Sequence, residues 1–229
     1  MATKNVKDNK SDELNFSDKV NECLLKNRKV IISALGIIAV FFVLLTVFTY
    51  LSGQKSKVAF DQLDTIVSEW ETAINANDES QLTLVQDDLI ARLSTIGEKN
   101  KHTFAGVRSN MILAEIYFSK KDWALAQEKY IIAAEKDINA YTAGLCYFNA
   151  GTCADELSDY AEAVKWYTKA SQTASFTLKP RALFNLGRVE EQMSNKENAI
   201  AAYEMLAEQF PSDDWTSLAK SRIIALQLN

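Results

Sequence analysis

Three cysteines, one histidine and three pairs of identical adjacent carboxylates are the side chains in this sequence that come first to mind for catalysis or metal binding. A lone histidine, His102, in the polar stretch GEKNKHTF cannot supply a triad or a metal-binding pair. Cys146 and Cys153 lie seven residues apart on one expected helix. That is about 10 Å of rise, beyond the ~7 Å that disulfide Cα atoms tolerate. The odd cysteine count and wide spacing exclude a disulfide framework and a zinc cluster. Small buried side chains are the expected role of both. Asp87-Asp88, Glu190-Glu191 and Asp213-Asp214 fall in amphipathic segments. Neighbours on a helix point to different faces, so they read as solvated surface and not as acid/base pairs. No glycine-rich phosphate loop is present. The residues imply a protein that binds, with no catalytic residue, cofactor or metal.

The elements that would position any binding surface are helices. Only 7 Gly and 2 Pro occur in 229 residues, too few turn-formers for an all-β fold. Residues 30–51, VIISALGIIAVFFVLLTVFTYL, are 22 residues without a charge. As a helix they span about 33 Å, enough for a hydrocarbon core of about 30 Å. The 29-residue leader is long for a cleaved signal, and Ser52-Gly53-Gln54-Lys55 supplies no Ala-x-Ala site. An uncleaved anchor in contact with the lipid bilayer is expected. Lys10, Lys19, Lys26, Arg28 and Lys29 precede it closely, whereas only Lys55 and Lys57 follow closely. By the positive-inside rule the N-terminus stays cytoplasmic and residues 52–229 are exported, which in a bacterium means periplasmic at the inner membrane. The tail 1–29 is expected to be partly disordered, with a helix over 16–29 capped by Ser17. Residues 52–229 carry 18 Lys/Arg against 25 Asp/Glu and no basic run, which disfavours nucleic acid as a partner.

Three segments share one pattern: WALAQEKYIIAAEKDI (123–138), YAEAVKWYTKAS (160–171) and KENAIAAYEMLAEQFP (196–211). Ala precedes Tyr by four residues in each: Ala126/Tyr130, Ala163/Tyr167, Ala199/Tyr203. Upstream, Leu113-Ala114-Tyr117, Ala150-Gly151-Ala154 and Leu186-Gly187-Glu190 occupy corresponding places, and Pro211 ends the third unit. The arrangement resembles the tetratricopeptide-repeat (TPR) family, with two or three residues beyond its usual repeat of about 34. Ile138 and Ser175 depart from the family's terminating Pro, and Glu190 departs from its aromatic.

The resemblance implies an all-α fold, a solenoid of helix pairs over 101–229 with units near 104–140, 141–177 and 178–211. A capping helix is expected at 213–227. Asp122, Ser158 or Asp159, and Asn195 are expected to cap the second helices, and Pro180 to open the third unit. Residues 52–100 read as two further helices, 57–76 and 80–97, the second capped by Asp78. Their apolar stripes are Leu63, Ile66, Val67, Trp70, Ile74 and Leu82, Val85, Leu89, Leu93, Ile96. They form a helical hairpin or a degenerate repeat, separated from the span by a short tether.

In TPR arrays the first helices line a groove. In this register the groove positions are Arg108, Met111, Glu115 and Phe118, then Leu145, Phe148, Thr152 and Asp155, then Arg181, Phe184, Arg188 and Glu191. Phe118, Phe148 and Phe184 either offer an apolar surface to an extended or helical protein segment or complete the core between helices. Met111, Phe148 and Phe184 stand where a carboxylate clamp would need Lys, so capture of a chaperone tail is not expected. The layout of tail, anchor and exported repeats is similar to that of the YfgM family, an ancillary subunit of the Sec translocon. That likeness implies translocon subunits, a periplasmic chaperone or exported clients as protein partners. A scaffold for envelope assembly or cell division, or a self-associating homo-oligomer, fits the same layout.

Overall fold

The computed structural model describes residues 16–75, 79–136 and 142–228. All of its regular elements are helices: α1 (Phe16–Lys26), α2 (Arg28–Asn75), α3 (Glu79–Lys99), α4 (Phe104–Ser119), α5 (Trp123–Lys136), α6 (Ala143–Glu156), α7 (Tyr160–Gln172), α8 (Lys179–Gln192), α9 (Lys196–Gln209) and α10 (Asp214–Leu228). The chain divides into two units, Met1–Gln54 and Lys55–Asn229. The tail before Phe16, the cap at Asp78 and the end of the first repeat at Ile138 lie outside the described residues, as do the side chains of Ile74 and Leu82.

In the first unit α1 begins at Phe16, so Ser17 lies inside the helix instead of capping it. From Ile32 to Leu51 every side chain is exposed. Both threonine hydroxyls there bond to the helix's own carbonyls: Thr46 Oγ1 donates to the Phe42 carbonyl at 2.7 Å and Thr49 Oγ1 to that of Thr46 at 2.9 Å. A helix that bonds its own polar groups can sit in hydrocarbon. The helix is long and apolar enough to cross a membrane. The expected tether after Leu51 is helical instead: α2 is unbroken from Arg28 to Asn75. Residues 52–57 (SGQKSK) contain no Pro, and one Gly costs a helix only about 1 kcal/mol, so nothing local stops propagation.

In the second unit successive helices pair as the spacing predicts, α4 with α5, α6 with α7 and α8 with α9, and α10 packs on α9 and α8. The recurring Ala and Tyr positions share one environment. Ala126, Ala163 and Ala199 are wholly buried, and Tyr130, Tyr167 and Tyr203 nearly so. Small residues on the first helices make the pairing close. A Cβ on Gly151 would lie 2.8 Å from the Tyr167 ring, and one on Gly187 would lie 2.5 Å from the Tyr203 ring.

The turns inside the pairs repeat as well. Lys121, Ser158 and Ser194 adopt positive φ of 59°, 58° and 61°. Asp159 Oδ1 accepts from the Glu162 N–H at 3.2 Å, and Asp122 Oδ1 accepts from that of Leu125 at 3.4 Å. Asn195 makes no such cap; its amide turns instead to Glu190. Pro180 sits in the first turn of α8, where a missing N–H costs nothing.

Ala59, Leu63 and Ile66 of α2 join Leu89, Leu93 and Ile96 of α3 and Ile112, Leu113 and Ile116 of α4 in one apolar cluster. Two further clusters continue the core, one through α4 to α8 and one through α8 to α10.

Candidate functional site

The twelve predicted groove residues separate into three groups. The first is core. Met111 and Phe148 are only 5% exposed. Phe148 packs against Tyr167 and Phe176, with ring centroids 5.6 and 5.9 Å apart. Of the two roles open to Phe148 the packing favours the core, since the rings of Tyr167 on α7 and Phe176 in the α7–α8 connection cover it, and Met111, expected in the groove, lies in the same buried cluster. Phe118 is partly buried against Trp123 (4.9 Å) and Tyr130, and Phe184 against Trp215 (4.9 Å) and Tyr203. Leu145 is half-buried beside the same core. Thr152 accepts from the Tyr167 hydroxyl at 3.3 Å.

The second group is charged and paired between repeats. The Arg188 guanidinium on α8 forms an ion pair with Asp155 on α6. Arg222 on α10 does the same with Glu191 on α8, and the Tyr203 hydroxyl also donates to Glu191 at 2.6 Å. Arg222 is the main reason the Glu191 carboxyl is held below the usual carboxylate range. Arg181 lies over the Phe148 ring at 5.3 Å and the Trp215 ring at 5.9 Å. These contacts join neighbouring first helices laterally, so much of this charge is spent inside the array.

The Glu190-Glu191 pair is therefore not solvated surface. Glu190 is 8% exposed and accepts from Asn195 Nδ2 at 2.8 Å and Asn198 Nδ2 at 3.4 Å. Its departure from the family's aromatic has a physical reason: Asn195, just before α9, and Asn198, in its first turn, satisfy the carboxylate.

The third group is open. Arg108 and Glu115 stand on the wall of a cleft of about 270 Å³ between α2, α3 and α4. Ile66, Val67, Trp70, Leu89, Leu93 and Ile112 supply its apolar surface, and Glu71 a second carboxylate. The Arg108–Glu115 pair is loose at 4.0 Å with both side chains about half exposed. Partial desolvation raises the Glu115 carboxyl, and Arg108 opposes that rise. Across the α2–α3 contact Arg92 bridges Glu69 and Asp88. Apolar walls with one unsaturated ion pair suit an apolar side chain of a polypeptide flanked by a polar group. Nothing in the lining is a nucleophile with an adjacent base.

Trp70 and Val67 are the residues that sequence reasoning missed. They lie on the same helical stripe as Leu63, and no sequence signal separates the part of a stripe that is covered from the part left open. Among the described residues no group of three or more His, Cys, Asp or Glu could hold a metal. Burial pushes the thiols of Cys146 and Cys153 up to about 12, which leaves them inert.

Two comparisons bear on this architecture. Sequence patterns of the tetratricopeptide repeat match residues 181–213 and 146–174, the third and second units. A TPR repeat-containing protein of Treponema pallidum (strain Nichols) is 35% identical over 166 residues, which cover 72% of this chain and 70% of that protein.

Proposed function

This chain belongs to the tetratricopeptide-repeat family, and from that premise we propose that it is a membrane-anchored protein-binding scaffold that holds apolar segments of other proteins. TPR arrays mediate protein–protein interaction, which makes a protein the expected partner. The open cleft between α2, α3 and α4 carries this reading, because it leaves Trp70 and Val67 accessible beside the loose Arg108–Glu115 pair. The neighbouring first-helix face over α6 and α8 has its charges paired and its aromatics packed, so it contributes rigidity and a rim.

Residues 30–51 serve as the anchor. Their uncharged length and the excess of Lys/Arg before them support a cytoplasmic N-terminus and an exported array at a bacterial inner membrane. In that place the scaffold acts by binding alone, on newly translocated proteins at the Sec translocon. Protease added to spheroplasts should digest residues 52–229, and full protection would overturn the exported topology.

A photo-cross-linking amino acid at Glu71 tests the partner directly in cells. Cross-links to translocon subunits and exported chains, absent from a probe at the exposed Leu157 that ends α6, support the proposal. Links to envelope enzymes would replace it with a role in envelope assembly or cell division. Self-links alone would replace it with a structural homo-oligomer.

A further inference from the structure

Phe104 is the first residue of α4 and remains 63% exposed; Phe60 on α2 is 48% exposed, and their ring centroids lie 6.1 Å apart. Neither belongs to a core cluster, although Ala59 and Ala105 beside them do. The backbone beneath Phe104 is rigidly held. Thr103 Oγ1 accepts from the Gly106 N–H at 3.3 Å and donates to the Asn100 carbonyl at 3.0 Å. A Cβ on Gly106 would lie 2.1 Å from that same carbonyl oxygen. The backbone that presents Phe104 is thus fixed, and the aromatic pair lies outside the core.

The lysines that flank the pair in sequence contrast with the acidic balance of the rest of the array, with Asp64 one turn past Phe60. Residues 55–61 and 98–104 carry Lys55, Lys57, Lys99 and Lys101 against Asp61 and Glu98, a net of +2. The other residues of 52–229 carry 14 Lys/Arg against 23 Asp/Glu, a net of −9. All four lysines are exposed. The patch is also close along the chain to the apolar run. Lys55 is four residues past Leu51 and Phe60 nine, and nine residues reach at most about 30 Å in any conformation.

We infer that Phe60, Phe104 and this lysine collar form a lipid-docking edge that rests on the headgroups of an anionic bilayer. Aromatic side chains partition into the headgroup boundary, and Lys side chains are attracted to anionic lipid. The inference rests on the reading of 30–51 as a span. Docking would bring this edge into contact with the headgroups.

The test uses the full chain with Cys23→Ser, reconstituted in vesicles of phosphatidylcholine alone or with phosphatidylglycerol. Single environment-sensitive labels are placed through His102→Cys, Val40→Cys or Leu218→Cys; the buried Cys146 and Cys153 stay unlabelled. Lipids carrying headgroup or acyl-chain quenchers report contact. The expected result is acyl-chain quenching at position 40 in both lipids, and headgroup quenching at 102 that is several-fold stronger with phosphatidylglycerol. Position 218 should be unquenched. Each lysine near an anionic surface changes the docked-to-undocked ratio by about fivefold. Lys99→Gln with Lys101→Gln should therefore lower that ratio by about 30-fold, and Phe104→Ser should weaken quenching at unchanged helicity. Quenching at 40 with none at 102 overturns the docking edge and leaves the anchor standing. Quenching at 102 that ignores lipid charge and both lysines overturns it too. No quenching at 40 removes the anchor, and the docking edge with it.

Discussion

Gly187→Ala tests how tightly the helix pairs are locked. Alanine is favoured over glycine within a helix by about 1 kcal/mol, so helix propensity alone predicts stabilisation. The tertiary contact predicts the reverse. The new Cβ would lie 2.5, 2.7 and 2.8 Å from Cε1, Cζ and Cδ1 of Tyr203, where ordinary contact is 3.4–4 Å. The ring would have to retreat by about 1 Å. It has nowhere to go, because Tyr203 is wholly buried, tilted against Phe184 and bonded through its hydroxyl to Glu191 at 2.6 Å. Overpacking costs about 1–3 kcal/mol, and loosening a hydrogen bond to a charged group adds about 1.5 kcal/mol or more. After the propensity gain the net loss should be about 2 kcal/mol, or a fall in Tm of about 4–8 °C for a chain of this size. Thermal unfolding of the detergent-solubilised full chain, followed by circular dichroism, reads the effect. Gly53→Ala is the control, since its Cβ meets nothing within 4 Å and should leave Tm unchanged or higher. A Gly187→Ala protein as stable as the parent would refute the claim that the ring and the α8 backbone are rigidly apposed.

Three further outcomes are expected. Ser158→Gly and Ser194→Gly should each stabilise by about 0.5–1 kcal/mol, because both residues hold a left-handed conformation that costs an L-residue about 1 kcal/mol; a lowered urea midpoint would contradict it. Phe148→Ala should cost about 3–5 kcal/mol by leaving a cavity between α6 and α7; lost partner binding at unchanged stability would instead place Phe148 on the binding face. The Glu191–Arg222 pair depresses the Glu191 carboxyl, so its stabilisation is complete above the ordinary glutamate pKa of about 4.3 and fades as pH falls through the depressed value. Amide protection factors in α10, taken against the intrinsic exchange rate at each pH, should fall below about pH 4, less steeply in Glu191→Gln; an identical acid response in that variant would exclude the pair as the cause.

The repeats were legible because each unit closes on itself locally. Ala126 and Tyr130, or Ala163 and Tyr167, lie one turn apart on one helix and pack against a partner that ends a few residues upstream. A pattern of small and aromatic residues within about 35 positions therefore carries most of the information that pairing needs. The left-handed turn residues recur at the same 37- and 36-residue spacing, yet Lys and Ser carry no glycine-like signal there. The burial of Glu190 was not legible, since it depends on Asn195 and Asn198 reaching it from the cap and first turn of the next helix. The candidate site was legible only in part. Arg108 and Glu115 fall at the cleft and Phe148 does not, because which side of an apolar stripe is covered depends on the neighbouring helix.

By itself the sequence determined the helical class, the register of three helix pairs, the closing helix α10 and an uncharged run long enough to cross a bilayer. Each depends on periodicity or length along one stretch of chain. Tertiary structure alone decided that Asp155 meets Arg188 and Glu191 meets Arg222, partners 33 and 31 residues apart. It also decided that α2 leaves an open cleft against α3 and α4, and that Phe60 and Phe104 share an exposed edge. Those outcomes depend on how packed helices stagger and tilt, and side-chain volumes fix that only once all the neighbours are in place.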